Sequence, residues 1–214
     1  SLSRTKKRLF LEISTTESNE IRILDLEKKN FKLKVFLKRR YKHLYFIDDS
    51  PEEFFILSNK NNQKNYALYK TDINKSSEKK WKIIIRHKKN ELIENFQIYK
   101  DHLILETRKD GLPQILQINK EDKKKKYMTF KDPSYSVSLA QNHEYESNYF
   151  KFVYSSLTTP STIYSQSFFS SKRKKIWQEK FKNLEESKYA TKRVLIKSRD
   201  GQKVPISLLY KKGT

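Results

Sequence analysis

The chain has no cysteine, and its 214 residues include only three glycines, five prolines and one methionine. Without cysteine there can be no disulfide and no thiolate metal site. That fits a reducing compartment, and a cytoplasmic location is expected. The glycines are Gly111, Gly201 and Gly213. No two stand four residues apart, so a G-x-S-x-G nucleophile elbow cannot occur within the chain. The same scarcity removes the dinucleotide-binding and P-loop fingerprints. The four histidines, His43, His87, His102 and His143, form no H-x-x-x-H pair. No apolar run approaches the ~20 residues of a membrane helix, and no signal peptide precedes the first apolar segment. No membrane partner is therefore expected. The chain opens SLSRTKKRLF, without an initiator methionine and apparently within a structural unit, so a truncated N-terminus is expected.

Acidic residues are also scarce, 25 against 47 basic ones, for a net charge of +22. Clustered basic charge invites a nucleic-acid reading, because Lys and Arg neutralise phosphates and release counterions. Here Lys outnumbers Arg 37 to 10, whereas base and phosphate recognition leans on the bidentate Arg. Lysine is spread through nearly every turn. Runs such as Lys123–Lys126 and Lys172–Lys175 read as solvated hairpin tips, and a nucleic-acid partner is not expected. Abundant Lys, Asn and Ile together suggest an A+T-rich coding sequence.

What the chain does have is a repeat. From Tyr149 to Trp177 (YFKFVYSSLTTPSTIYSQSFFSSKRKKIW) it reads strand, turn, strand, turn, strand. Phe150, Phe152 and Tyr154 fall on one face at period two. Pro160 sits among turn residues, since it cannot donate to a ladder. Similar segments begin at Arg8, Glu53 and His102, at steps of 45, 49 and 47 residues. An aromatic lies 28 positions after each start, at Phe36, Trp81, Phe130 and Trp177. Further strands are expected at Leu44–Ile47, Leu92–Tyr99 and Tyr135–Ala140. This period suits four-stranded propeller blades; an antiparallel sandwich of evenly spaced hairpins is the alternative. The expected fold is all-β, a partial propeller of about four four-stranded antiparallel blades.

Between these strands, turns are expected at Lys28–Asn30, Asp48–Glu53, Asn59–Asn65 and Asn74–Lys80. Asp110-Gly111 has the composition of a tight hairpin turn. Pro113 suggests a bulge or an edge in the strand that follows. After Trp177 the pattern changes. Glu179–Glu186 is charged and has short helical spacing between Phe181 and Leu184. Then a hairpin follows, Arg193–Ser198 and Val204–Tyr210, with no further unit after it.

Candidate chemistry is thin. Asp48/Asp49, Glu52/Glu53 and Glu185/Glu186 are adjacent acidic pairs, which lack the opposed geometry of an acid and a base and read as solvated. The histidines read as surface or packing residues. No Ser or Thr has a base nearby in sequence. The interleaved aromatics read as inter-sheet packing rather than platforms for bases. No catalytic, metal-binding or cofactor-binding residue is assigned, and no cofactor is expected.

Several segments, taken in order, resemble the oligopeptidase B branch of the prolyl oligopeptidase family of serine peptidases. The strongest are Tyr154–Tyr164 (YSSLTTPSTIY) and Ser198–Gly213 (SRDGQKVPISLLYKKG). Glu12–Asp25, Trp81–His87 and Leu103–Leu116 support them. The resemblance implies a propeller capping an α/β-hydrolase domain that cleaves short peptides after Arg or Lys. Residues 1–186 would be later blades of that propeller. Residues 187–214 would be the hinge, centred on Glu186–Thr191, and the opening hairpin of the hydrolase domain. The triad and the acidic residues for a basic substrate side chain are expected downstream, so this chain alone should be inactive. Its implied partners are earlier blades, the rest of the hydrolase domain and, for the intact enzyme, short basic peptides. A non-enzymatic propeller that binds a partner through its basic surface is the alternative. As a free-standing partial ring it should be marginally stable, with two terminal blade faces bare.

Overall fold

A computed structural model describes residues 1–29, 31–182 and 185–213. Antiparallel sheets follow one another along the chain. The first is three-stranded: β1 (Arg8–Ser14), β2 (Asn19–Asp25) and β3 (Lys34–Leu37). A lone bridge from Leu2 to Leu9 stands on its open side, where a further strand would pair. Next come β4 (Tyr45–Asp49), β5 (Glu53–Ser58), β6 (Ala67–Asp72) and β7 (Lys82–Ile85), paired in chain order. The third sheet is β8 (Glu91–Ile98), β9 (His102–Lys109), β10 (Leu112–Asn119) and β11 (Lys125–Tyr127). The fourth is β12 (Tyr135–Leu139), β13 (Tyr149–Ser156), β14 (Thr162–Ser167) and β15 (Arg173–Gln178). A separate hairpin, β16 (Tyr189–Lys197) and β17 (Lys203–Lys211), ends the described chain. Consecutive four-stranded meanders at this spacing are propeller blades. The first sheet departs from the expectation only in having three full strands.

The four repeat starts, Arg8, Glu53, His102 and Tyr149, open β1, β5, β9 and β13, the second strand of each unit. The aromatic 28 positions later is not one structural position, however. The ladder shifts once between the third and fourth strands in three units, between Ile21/Arg22, Leu68/Tyr69 and Ile163/Tyr164. The residues passed over on the outer strand are Phe36, Ile84 and Ile176. By register, Trp177 opposite Ile163 corresponds to Leu37 opposite Ile21 and Ile85 opposite Leu68. Such bulges add one residue and increase local twist; because the connections between strands differ in length, the bulge falls 28, 31 and 27 residues after the strand start, so counting from that start loses alignment.

The turns follow local chemistry. Asp110 and Gly111 have φ of 50° and 76°, the doubly left-handed geometry of a two-residue hairpin. Pro113 lies inside β10, but β11 pairs only with Leu116, Gln117 and Ile118. On that side the strand is an edge at Pro113, which is where a residue without an N–H is tolerated. The turn expected over Asp48–Glu53 is shorter, because β4 runs through Asp49 and β5 begins at Glu53. The loop expected over Asn74–Lys80 is two 3₁₀ turns, Ile73–Lys75 and Glu78–Lys80. Leu184 of the expected helical spacing, and Asn30 of the expected turn, lie outside the described residues. Glu186–Lys188 is a 3₁₀ turn. Among the described residues no helix is long and apolar enough to cross a membrane.

Two compact units partition the chain: Ser1–Leu105 with His143–Glu146, and Glu106–Asn142 with the chain from Ser147 onward. In the first, Phe10, Ile21, Tyr45, Phe54, Ile56, Ala67, Tyr69 and Trp81 form a buried cluster, and Phe36 packs against it. Phe36 reaches from the first sheet to the second, with ring centroids 6.1 Å from Tyr45, 5.3 Å from Phe54 and 6.0 Å from Trp81. Polar groups inside this cluster are paired, as burial requires. Tyr45 donates its hydroxyl to the Leu37 carbonyl (3.0 Å) and accepts from the Ile21 N–H (2.8 Å). Asn19 behaves as a piece of strand. Its amide nitrogen donates to the Tyr45 carbonyl (2.7 Å) and its side-chain oxygen accepts from the Tyr45 N–H (3.1 Å). In the second unit the alternation along β13 buries Phe150, Phe152 and Tyr154 while exposing Tyr149 and Lys151.

Candidate functional site

The acidic pair Asp48/Asp49, expected in a solvated turn, is instead part of a buried ionic cluster. Asp49 is fully buried and pairs with Arg8 at 2.7 Å. Its carboxylate also accepts from the Thr5 N–H (2.9 Å) and hydroxyl (2.8 Å). Asp48 accepts from the N–H of Arg4 (2.7 Å) and of Asp49 (2.9 Å). Arg4 in turn donates to the Ile98 carbonyl at 2.6 Å and lies 4.2 Å over the Tyr99 ring. Two carboxylates at a strand end become buryable because chain 44 residues upstream brings N–H groups and a guanidinium to them. Glu53, by contrast, pairs with Lys70 at a partly exposed site (2.7 Å). Glu185 pairs with Lys188 at the surface (2.8 Å).

The histidines separate in the same way. His43 is buried; its Nδ1 meets the Arg40 guanidinium at 2.9 Å and its Nε2 meets the Ser58 hydroxyl at 2.8 Å. His102 is buried and His143 exposed. No group of three or more His, Cys, Asp or Glu that could hold a metal ion occurs among the described residues.

These groups make a pH prediction. Burial holds the Asp48 carboxyl up at about 6, with help from the Asp49 charge and against the two N–H donors. As pH falls from about 6 toward 4, the folded chain takes up a proton that the unfolded chain does not, so Asp48 adds stability over that window. Burial and the Arg40 charge push His43 down to about 4. Its contribution is intact above about 6.5 and is lost as pH falls toward 4. The two oppose each other, each on the order of 3 kcal/mol. Asp48→Asn should therefore steepen acid destabilisation between pH 6 and 4 relative to the parent, and His43→Gln should relieve it. Urea midpoints measured across that range check both signs.

The expected hinge, Glu186–Thr191, forms one wall of a cleft of about 580 Å³. Its floor is aromatic: Phe130 stacks on Tyr154 at 5.1 Å, and Tyr164 lies 5.4 Å from Phe152. The Arg173 guanidinium sits 4.7 Å over Phe130 and donates to the Thr129 carbonyl (2.6 Å). Asp132 accepts from the Tyr154 hydroxyl at 2.5 Å. Burial, and then this carboxylate, push the Tyr154 phenol well above its ordinary range. The lining includes no histidine. The Thr159 hydroxyl also donates to Asp132 (3.4 Å). The floor of the cleft is lined from β13, β14, β15 and the β11–β12 connection, and the opposite wall from residues 186–191. Phe130, Tyr154 and Arg173 are brought together only by the packing, and no sequence pattern marks them as a site.

The β16–β17 hairpin is tied to this unit at few points. The Lys212 N–H donates to the Lys188 carbonyl at its base (2.8 Å). Ser207 meets the Ser134 hydroxyl, and Arg193 donates to the Asp110 carbonyl. A Cβ on Gly111 would stand 3.4 Å from Pro205 Cγ and 3.8 Å from an Arg193 guanidinium nitrogen, at a φ of +76°. Those are ordinary contacts, so Gly111→Ala should cost about 1–2 kcal/mol through its left-handed φ; a urea midpoint that does not fall would refute that strain. The opposite face of the hairpin carries Val194, Ile196, Val204, Ile206, Leu208 and Tyr210 by register. Ile196, Val204, Leu208 and Tyr210 are exposed.

Successive four-stranded antiparallel sheets at this spacing define a fragment of a β-propeller. Residues 1–180 match the family described as prolyl oligopeptidase, N-terminal beta-propeller domain. The chain belongs to that family. It is 26% identical over 211 residues to dipeptidyl aminopeptidase BI of Pseudoxanthomonas mexicana, covering 98% of this chain and 29% of that protein. Oligopeptidase B from Trypanosoma brucei with covalently bound antipain, in its closed form, superposes with a TM-score of 0.89 at 25% identity; the match covers all of this chain and 32% of that one. Oligopeptidase B from Leishmania major gives a TM-score of 0.90 at 22% identity, covering 100% and 31%. The chain thus spans about three-tenths of the length of each of these relatives.

Proposed function

We propose that this chain is the access-controlling propeller portion of a serine peptidase of the oligopeptidase B kind, which hydrolyses short peptides after Arg or Lys. Residues 1–186 serve as blades, and residues 187–214 as the hinge and the opening strands of the hydrolase domain. The observation that carries the reading is the β16–β17 hairpin. Two isolated strands are marginal in water, and this pair leaves apolar side chains exposed on both faces, Ile196, Val204, Leu208 and Tyr210 on the one turned away from the blade and Leu195 and Leu209 on the other. Such a face suits continuation into a further packed layer. The likeness to two oligopeptidase B structures supports the branch, and the motif Ser198–Gly213 supports the domain that follows.

In this reading the propeller admits slim, unstructured peptides and excludes folded proteins, while closure dehydrates the catalytic site. The cleft beside Glu186–Thr191 is the joint that flexes. The test is the native gene product, assayed on peptide substrates ending in Arg or Lys, in Pro, or carrying a free N-terminal dipeptide. Cleavage after Arg or Lys supports the reading. Cleavage only after Pro, or release only of dipeptides, overturns the branch; a product that cleaves nothing favours the partner-binding alternative. In the active enzyme, Lys188→Pro should slow peptide turnover several-fold. It removes the Lys188 N–H bond to the Glu185 carbonyl (3.0 Å) and stiffens the joint. Unchanged kinetics would remove the hinge from this role.

A further inference from the structure

The turn between β14 and β15 combines three properties. It is braced, it presents a large apolar side chain, and it is ringed by cations. Bracing comes from both sides. The Gln166 amide donates to the carbonyls of Ser167 (3.0 Å) and Ser170 (2.5 Å). Gln117 of β10 donates to the Phe168 carbonyl (3.0 Å), and Lys126 of β11 reaches the Ser171 hydroxyl (3.1 Å). Phe168 is buried against Phe150, with ring centroids 5.4 Å apart. Its neighbour Phe169 is turned the other way and is 72% exposed.

Lys126 and its neighbour Lys125 on β11, Lys172 in the turn and Lys174 just beyond it on β15 are all exposed. The Lys126–Ser171 contact brings together the two lysine runs, which are 45 residues apart in sequence. No Asp or Glu lies between Glu146 and Glu179, so β13, β14 and β15 carry no carboxylate to offset this charge. A solvated hairpin tip accounts for the lysines. It does not account for an ordered turn that leaves a large aromatic side chain mostly exposed.

We propose that this turn and the adjoining β11 form a docking surface for an anionic lipid bilayer. Lysine is a flexible point charge, suited to a fluid layer of headgroups, where bidentate geometry has no fixed target. Polybasic clusters gain about 1 kcal/mol per Lys near such a surface, or about fivefold in affinity for each. An aromatic ring at the tip supplies the apolar contact at the headgroup boundary. The lack of a membrane-spanning run leaves this open, since peripheral contact needs none. The surface is independent of the peptidase reading above.

The test is co-sedimentation of the chain with phosphatidylcholine vesicles, alone or mixed equally with phosphatidylserine, at low and high salt. Binding is expected only to the mixed vesicles, and it should weaken with salt. Replacing Lys125, Lys126, Lys172 and Lys174 by Gln should weaken binding on the order of several hundred-fold. Replacing Lys29, Lys32, Lys34 and Lys38 by Gln removes the same charge elsewhere and should cost less than about tenfold. Phe169→Ser should weaken binding with all charge retained; because its side chain is exposed, thermal unfolding should be unchanged. Equal losses for the two quadruple variants would reduce the effect to net charge and overturn the proposal. So would tighter binding to a single-stranded oligonucleotide than to the mixed vesicles, insensitivity to Phe169→Ser, or no vesicle binding at all.

Discussion

Asp49→Ala should remove about 3–5 kcal/mol of stability, a large part of the 5–15 kcal/mol typical of a domain. The carboxylate is fully buried and the Arg8 guanidinium nearly so, at 8% exposure. Alanine leaves Arg8 desolvated without its counter-charge and strips the Thr5 N–H and hydroxyl of their shared acceptor. Breaking one side of a buried pair is costly because the survivor stays charged; removing both partners is much less so. The paired replacement Arg8→Met with Asp49→Leu should therefore recover much of the loss. Urea unfolding of the three proteins decides the matter. A loss under about 1 kcal/mol for the single variant would mean that water reaches the carboxylate, which would return Asp49 to the solvated turn expected from sequence.

Phe152→Ala is the second large effect, again about 3–5 kcal/mol. Phe152 is fully buried. Its ring lies 6.0 Å from Phe130 edge-on, 6.1 Å from Phe150 and 5.4 Å from Tyr164. The cavity cannot close easily, because Phe130 is held in the β11–β12 connection and Arg173 stacks over the same two rings. Phe152→Leu, which retains most of the volume, should cost about 1–2 kcal/mol. Tyr149→Ala, on the exposed side of the same strand, should stay within about 0.5 kcal/mol. Denaturant midpoints that fail to separate Phe152 from Tyr149 would contradict the alternation of β13.

The contrast between these residues also marks what a sequence can reveal. Phe150, Phe152 and Tyr154 were legible because period two is a property of the strand itself, and the second strand of every unit opens where that pattern starts. The likeness of Phe36, Trp81, Phe130 and Trp177 was misleading, because the connections between strands differ in length from unit to unit, so an equal count does not reach an equal ladder position. Asp48 and Asp49 look like turn residues until Arg4, Thr5 and Arg8 are placed beside them. Sequence proximity cannot supply that. Of the candidate site, the connecting segment was readable from its composition. The aromatic floor was not, because Phe130 lies in the β11–β12 connection while Tyr154 and Arg173 sit in β13 and β15, and the three meet only in the packing.

Asn19 carries a consequence for how the first two sheets come apart. Its side chain completes both halves of a hydrogen-bonded pair with Tyr45, so the seam between them is stitched by an amide that is not part of either ladder. A cut in the connecting loop, after Arg39 or Arg40, would sever the covalent link without opening that seam. The nicked halves should then elute as one species under native conditions and part only in denaturant, so for this pair of sheets the chain connection is dispensable once folding is complete.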